Sequence, residues 1–258
     1  MSLLTDNLSQ VDRLWSILPP LYSAITTYYC VKEKGISQSS VMIVMTVISS
    51  IWGGRLTYQF VKKDGYTLAG EDYRWKYVKE AFEGRYLTLQ IFNLFFVVIY
   101  QNILLFLLVV PQVLFLARDT TCSVSDALIG FAYMALVVLE TVSDMQQQEF
   151  QIEKYKQIAD GAELKGDYKA GFLRSGLFKY CRHPNYVCEV LIWWVFALFS
   201  VSRLGFNWSF IGALNLTGLF TGSVDITEQI SCKKYPEYLS YQKKVSAFIP
   251  SVRMMTLK

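Results

Sequence analysis

The sequence predicts an all-α protein, a polytopic integral membrane helical bundle of about six to seven transmembrane helices. Three observations predict it. The 258 residues are 53% hydrophobic and only 18% charged, too apolar for an ordinary soluble domain. The apolar residues gather in long blocks rather than in short amphipathic repeats. The Lys and Arg residues collect in alternate connections between those blocks.

The first block, 14–31, opens beside Trp15 and carries Pro19 and Pro20; the second, 36–60, contains Gly53-Gly54 and Arg55. Further blocks cover 88–117, 127–150, 186–202 and 206–226, the last rich in Gly, Ser and Thr. Each approaches the roughly 20 residues that span a bilayer at about 1.5 Å rise per residue. Any one of them would pass for a buried helix of a soluble protein. Taken together they would make roughly half the chain core, more than a soluble domain of this size accommodates.

The connections are polar. Residues 61–87 are mixed in charge and contain Gly70-Glu71-Asp72-Tyr73-Arg74-Trp75. Residues 151–182 form a second large loop. The tail 233–250, KKYPEYLSYQKKVSAFIP, is aromatic, basic and amphipathic, suited to the membrane surface or to folding back over the bundle. If the N-terminus, both loops and the whole C-terminal tail from residue 233 to 258 share one side, that side holds 20 of the 25 Lys and Arg residues. The other side holds 4, namely Lys32, Lys34, Arg118 and Arg203, and Arg55 lies within a span. This asymmetry predicts six spans with both termini cytosolic. Trp15, Trp75, Tyr86 and Trp208 stand near block ends, as interfacial anchors do. The opening MSLLTDNLSQVD has neither a basic n-region nor a small-residue cleavage site, so the first span is expected to serve as an anchor.

No repeat or linker divides the chain, and a single membrane domain over 1–258 is expected. The +4 net charge follows from the loop asymmetry, and no basic aromatic patch points to nucleic acid. The five cysteines are irregularly spaced. Cys181 and Cys188 flank the only histidine, but four suitably spaced metal ligands are lacking, so free thiols and no metal are expected. Gly-rich dinucleotide fingerprints, phosphate loops and nucleophile elbows are absent from the sequence.

The polar constellations lie against the apolar blocks. Glu140 and Asp144, in LETVSDMQQQEF, are four apart and share a helix face. They suit ribose or amide groups, a pairing with Arg or Lys of the following loop, or simply a hydrated helix end. His183-Pro184-Asn185 precedes the fifth block, where Pro fits the first helical turn. The free N–H groups there, with Arg174 and Arg182 nearby in sequence, suit a phosphate-bearing ligand; equally, His and Asn cap the helix and the arginines meet lipid headgroups. Glu189 lies one turn further on and requires a donor, with Arg182 or a ligand amide as candidates. In the second block Arg55 either faces a ligand or snorkels to the surface, and Tyr58 one turn away is a conceivable proton donor.

Several of these residues recur in one order and spacing: Trp52…Arg55-Leu56; Gly70-Glu71-Asp72-Tyr73-Arg74; Glu140-Thr141…Asp144…Gln147…Phe150; Gly176-Leu177-Phe178; Arg182-His183-Pro184-Asn185-Tyr186; Glu189; Thr227-Glu228; and Tyr235-Pro236-Glu237-Tyr238…Tyr241. From about residue 50 to residue 250 this resembles the steroid 5-alpha-reductase and sterol-reductase superfamily, most closely its DUF1295 branch of membrane proteins.

The resemblance implies an integral membrane reductase in which cytosolic loops cap a cavity holding NADPH, with 127–250 as the cofactor-binding part. It implies a lipid or steroid-like substrate, reduced at a carbon–carbon double bond, and residence in the endoplasmic reticulum among membrane lipids. Carried over position by position, the cofactor residues would be Glu140, Asp144, Arg174, Arg182, His183, Asn185, Tyr186, Glu189, Glu228 and Tyr235. Glu140 stands where the steroid reductases tend to have Asn, and Cys188 where a small Gly is usual. Trp52 stands near the position of the family's substrate-side Tyr, so Tyr58, Arg55 and the pair Glu71/Asp72 are the remaining candidates for catalysis. The Arg-His-Pro core, a downstream Glu and an aromatic tail are also similar to the isoprenylcysteine carboxyl methyltransferases, which use S-adenosylmethionine. A non-catalytic lipid-binding protein that keeps the fold is the third reading. The oligomeric state is not legible in the sequence.

Overall fold

The computed structural model describes residues 7–67, 70–118 and 120–250. Among them every regular element is a helix. The principal helices are α1 (Leu18–Lys34), α2 (Ser40–Lys62), α3 (Tyr73–Ala81), α4 (Tyr86–Ala117), α5 (Val124–Ala159), α6 (Pro184–Leu204), α7 (Ile211–Lys234) and α8 (Tyr238–Lys244). Among the described residues four helical stretches are long and apolar enough to cross a membrane: α2 with its leading turn (Ser37–Lys62), α4, α5 and α6. The other two predicted blocks are helical as well. α1 is only 17 residues long, because its Pro19 and Pro20 occupy the first turn after a break at Ser16–Ile17. α7 is 24 residues long, its apolar character diluted by Gly, Ser and Thr.

α5 differs most from its predicted bounds. It runs for 36 residues, roughly 54 Å, through QEFQIEKYKQIA, where 127–150 was expected. Glu, Gln and Lys are good helix formers, so polarity after Asp144 ends the apolar block but not the helix. Glu140 and Asp144 are therefore interior helix positions. α4 carries a π-helical stretch over Asn93–Tyr100, along which Phe92, Phe96 and Tyr100 stack, and holds Pro111 inside its second half.

By internal contacts the residues group into two compact units, Met1–Met134 with Trp193–Leu216, and Ala135–Ile192 with Thr217–Lys258. The first unit packs α1 against α2 and α4. Gly53 makes this close: a Cβ there would lie 2.5 Å from the Ser16 carbonyl and 2.6 Å from Pro20. Among these apolar helices lies a buried polar knot. Gln112 accepts a hydrogen bond from Ser23 Oγ (2.5 Å) and donates to Thr27 Oγ1 (2.9 Å) and to the Met42 carbonyl (3.3 Å). Trp52 meets Trp193 edge to face at 4.8 Å, and Asp126, fully buried, pairs with Arg203 at 2.6 Å.

A polar clasp completes this unit. Glu71 accepts the Leu8 N–H (2.8 Å) and the Lys79 ammonium (3.0 Å). Asp72 caps α3 by accepting the Arg74 N–H (2.9 Å), and Asp12 accepts the Trp75 indole N–H (3.0 Å). Glu71 and Asp72, candidates for acid–base work, are thus engaged in anchoring residues 8–15 and in capping a helix.

The second unit has its own small core, in which Ala170 and Phe172 pack against Tyr238, Tyr241 and Val245.

Candidate functional site

The predicted cofactor residues all fall in the second unit, on α5, on the 166–192 segment and on the stretch from α7 to the tail. Its centre is Glu228. Arg182 donates to it at two points, from Nε (2.6 Å) and Nη2 (3.0 Å). His183 Nε2 lies 2.9 Å from the same carboxylate, and Gln242 Nε2 donates at 2.6 Å. Burial alone would raise the Glu228 pKa; the donors from His183, Arg182 and Gln242 outweigh it and hold the carboxyl down at about 2. Glu228 lies beyond the predicted span 206–226.

Arg182 also ties down the tail. Its Nη1 donates to the Gln242 carbonyl (3.0 Å) and to that of Val245, at the end of α8, where unpaired carbonyls need donors. The main chain repeats the contact: the Arg182 N–H donates to Ser246 O (2.9 Å) and the His183 N–H to Ala247 O (3.2 Å). Tyr241 donates its hydroxyl to the Phe178 carbonyl. Burial pushes the Tyr241 and Tyr238 hydroxyls up, and the Cys181 thiol up to about 11. The tail thus folds back over this unit, the second of the two arrangements its sequence allowed.

Arg174 is likewise engaged. Its Nε donates to Asp167 (3.0 Å) and its Nη1 to Glu237 (3.0 Å). Both arginines are thus engaged with carboxylates. Arg182, one candidate donor for Glu189, is committed to Glu228 instead.

A second group lies along α5 and the start of α6. Asn185 Nδ2 donates to Asp144 Oδ1 at 3.3 Å, joining residues 41 apart in sequence. Glu140, Ser143 and Glu189 are buried at 4%, 0% and 5% exposure. The His183 ring stacks on Tyr186 (5.5 Å), which also meets the edge of Phe220 (5.0 Å). Tyr235 is half-buried and packs against Phe172 (5.7 Å) at the edge of the aromatic core, with the Lys154 and Lys234 ammonium groups near its ring.

Two glycines hold this geometry. Gly176, at φ +59, lets Gln146 Oε1 accept the Leu177 N–H (2.9 Å), and a Cβ there would strike the Gln146 amide. Gly171, at φ +87, ends the turn Gly166–Ala170 beneath the Tyr235 ring. An open cleft of about 370 Å³ is lined by Asp225, Glu228, Gln229, Cys232 and Gln242. Among the described residues no cluster of three or more His, Cys, Asp or Glu could hold a metal ion.

The candidates for catalysis lie in the first unit, on α2. Tyr58 is 57% exposed, with Lys62 Nζ 4.6 Å from its ring centre, and Arg55 is half-buried one turn before it. Sequence reasoning missed Gln146, Gln242, Asp167 and Ser143. Ser143 carried a readable signal, since it falls between Glu140 and Gln147 on one helix face. The others owe their roles to chain reversals that spacing does not encode.

The fold and this polar centre define a polytopic helical membrane protein. Its sequence matches, over residues 1–245, the model of a family described as "Protein of unknown function (DUF1295)", and the chain belongs to that family. It is similar to an uncharacterised protein of Schizosaccharomyces pombe, with 35% identity over 260 residues covering 97% of this chain and 74% of that protein. No solved structure matches it.

Proposed function

We propose that the protein is an NADPH-dependent reductase of a carbon–carbon double bond in an enone-like steroid or other lipid. The observation that carries this reading is the Asn185–Asp144 contact. Two motifs far apart in sequence, each matched to the cofactor residues of the steroid-reductase superfamily, meet there, flanked by buried Glu140 and Glu189.

The residues fit the polar, uncharged parts of such a cofactor. Glu140 and Asp144 accept hydrogen bonds from hydroxyl or amide groups, Asn185 both donates and accepts, and Tyr186 offers an aromatic face. When bound, NADPH supplies a hydride to the β-carbon, and one proton must reach the α-carbon to complete the saturated ketone. Holding the cofactor among helices that exclude water orients it and protects the hydride. Tyr58 is the candidate proton donor, with Arg55 beside it to stabilise developing negative charge. The charge asymmetry of the loops accords with a cytosol-facing site in the endoplasmic reticulum membrane, with both termini cytosolic.

One observation favours a second reading. Arg174 and Arg182 are both paired with carboxylates, which suits a cofactor without phosphates, such as S-adenosylmethionine in a carboxyl methyltransferase. Thermal-shift titration of the detergent-solubilised protein with NADPH and with S-adenosylmethionine separates the two. Incubation with NADPH deuterated at the transferable position and a panel of lipid enones then tests chemistry. Stabilisation by NADPH and deuterium in the lipid product are expected. A protein that neither binds nor oxidises NADPH refutes the reductase.

A further inference from the structure

We propose that Ser143 contacts the cofactor through its hydroxyl, and that it marks the seat of a neutral hydrogen-bonding group, a hydroxyl or carboxamide, away from the phosphates. This rests on the reductase reading above. Ser143 is fully buried, and its Oγ has no hydrogen-bond partner among the described residues. Other helical hydroxyls bond back to their own helix: Thr141 to Val137 O (2.7 Å), Thr227 to Ser223 O (2.8 Å) and Ser200 to Ala197 O (2.8 Å). Ser143, two residues from Thr141, forgoes that bond. A buried hydroxyl left without a partner costs stability, so its retention here calls for a partner that arrives from outside the chain.

Its position says what that partner is. Glu140, Ser143, Asp144 and Gln147 stand at i, i+3, i+4 and i+7, one face of α5, bracketed by buried Val137 and Phe150. The face is rich in acceptors, with a carboxylate on either side of the hydroxyl. An anionic phosphate is repelled there, whereas a group that donates hydrogen bonds is held. Asn185, on Asp144, extends the same polar surface onto α6.

The test is Ser143→Ala in the full-length protein in detergent, with Thr141→Ala as control. Melting temperature without cofactor and the NADPH dissociation constant are both measured. The expected result is an unchanged or higher melting temperature, since an unsatisfied hydroxyl is removed, together with NADPH binding weakened about three- to tenfold. Thr141→Ala should leave the dissociation constant unchanged. A lower melting temperature for Ser143→Ala without cofactor, failure of that variant to fold, or an unchanged dissociation constant overturns the inference while the reductase reading stands. A wild-type protein that NADPH does not stabilise overturns both.

Discussion

Arg182 and Glu228, 46 residues apart, meet through two hydrogen bonds of 2.6 and 3.0 Å, with both side chains about nine-tenths buried. The pair fastens the start of α6 to α7 and, through the remaining guanidinium nitrogen, to the end of α8. A buried pair is weak evidence of net stabilisation, but removing one member leaves an uncompensated charge. Arg182→Met is therefore expected to destabilise the protein by about 3 kcal/mol or more. Limited proteolysis should show early cleavage within 238–250 in the variant, because the carbonyls of Gln242 and Val245 lose their donor.

Acid should act through the same carboxylate. Glu228 is held at about 2 against an ordinary value of 4.5, so its stabilisation is complete above that ordinary value and is lost as pH falls through 2. Glu228→Gln should be less stable than the wild type near neutral pH, and the difference should shrink steadily as pH falls below about 4.5. Melting curves over that range check it. A gap independent of pH would assign the effect to shape rather than charge.

Gly176→Ala is expected to cost about 1–3 kcal/mol, because φ +59 strains an L-residue and its Cβ would displace the Gln146 amide that holds the Leu177 N–H. Gly84→Ala, at φ +76 but with nothing within 4 Å of its Cβ, isolates the backbone part of that cost. The difference in melting temperature between the two measures the Gln146 contact.

In the first unit, Gln112→Ala should destabilise by about 1–2 kcal/mol, since Ser23 and Thr27 lose a partner among apolar helices. Gln112→Glu should cost more, because it also buries a carboxylate against the Met42 carbonyl oxygen among apolar helices. NADPH affinity, measured on the folded fraction, should be the same in Gln112→Ala as in wild type.

The blocks of apolar sequence announced the helices because bilayer-scale hydrophobicity is a one-dimensional signal. Each of the six predicted segments is largely helical, and among the described residues four helices are long and apolar enough to cross. Ends were less legible. Polarity closed the predicted fourth span at 150, yet α5 continues to Ala159 because Glu, Gln and Lys sustain a helix in water as readily as Leu does in lipid. The motif spacings singled out Asn185 and Asp144, which the structure brings into contact, an approach that needs only two helices side by side. They did not reveal that Arg174 and Arg182 would be taken by Asp167, Glu237 and Glu228. Those pairings depend on how residues 166–182 pack against α7 and the tail, and KKYPEYLSYQKK is equally suited to a membrane surface.

The two compact units exchange chain at Met134–Ala135, Ile192–Trp193 and Leu216–Thr217, and each crossing falls inside a helix: α5, α6 and α7. Hinges and recombination points usually sit in loops, where a break severs no helical hydrogen bonds. Here every cut that separated the units would open a helix at three places. A fragment ended at any of these crossings is therefore expected to lose helical hydrogen bonds on both sides of the cut.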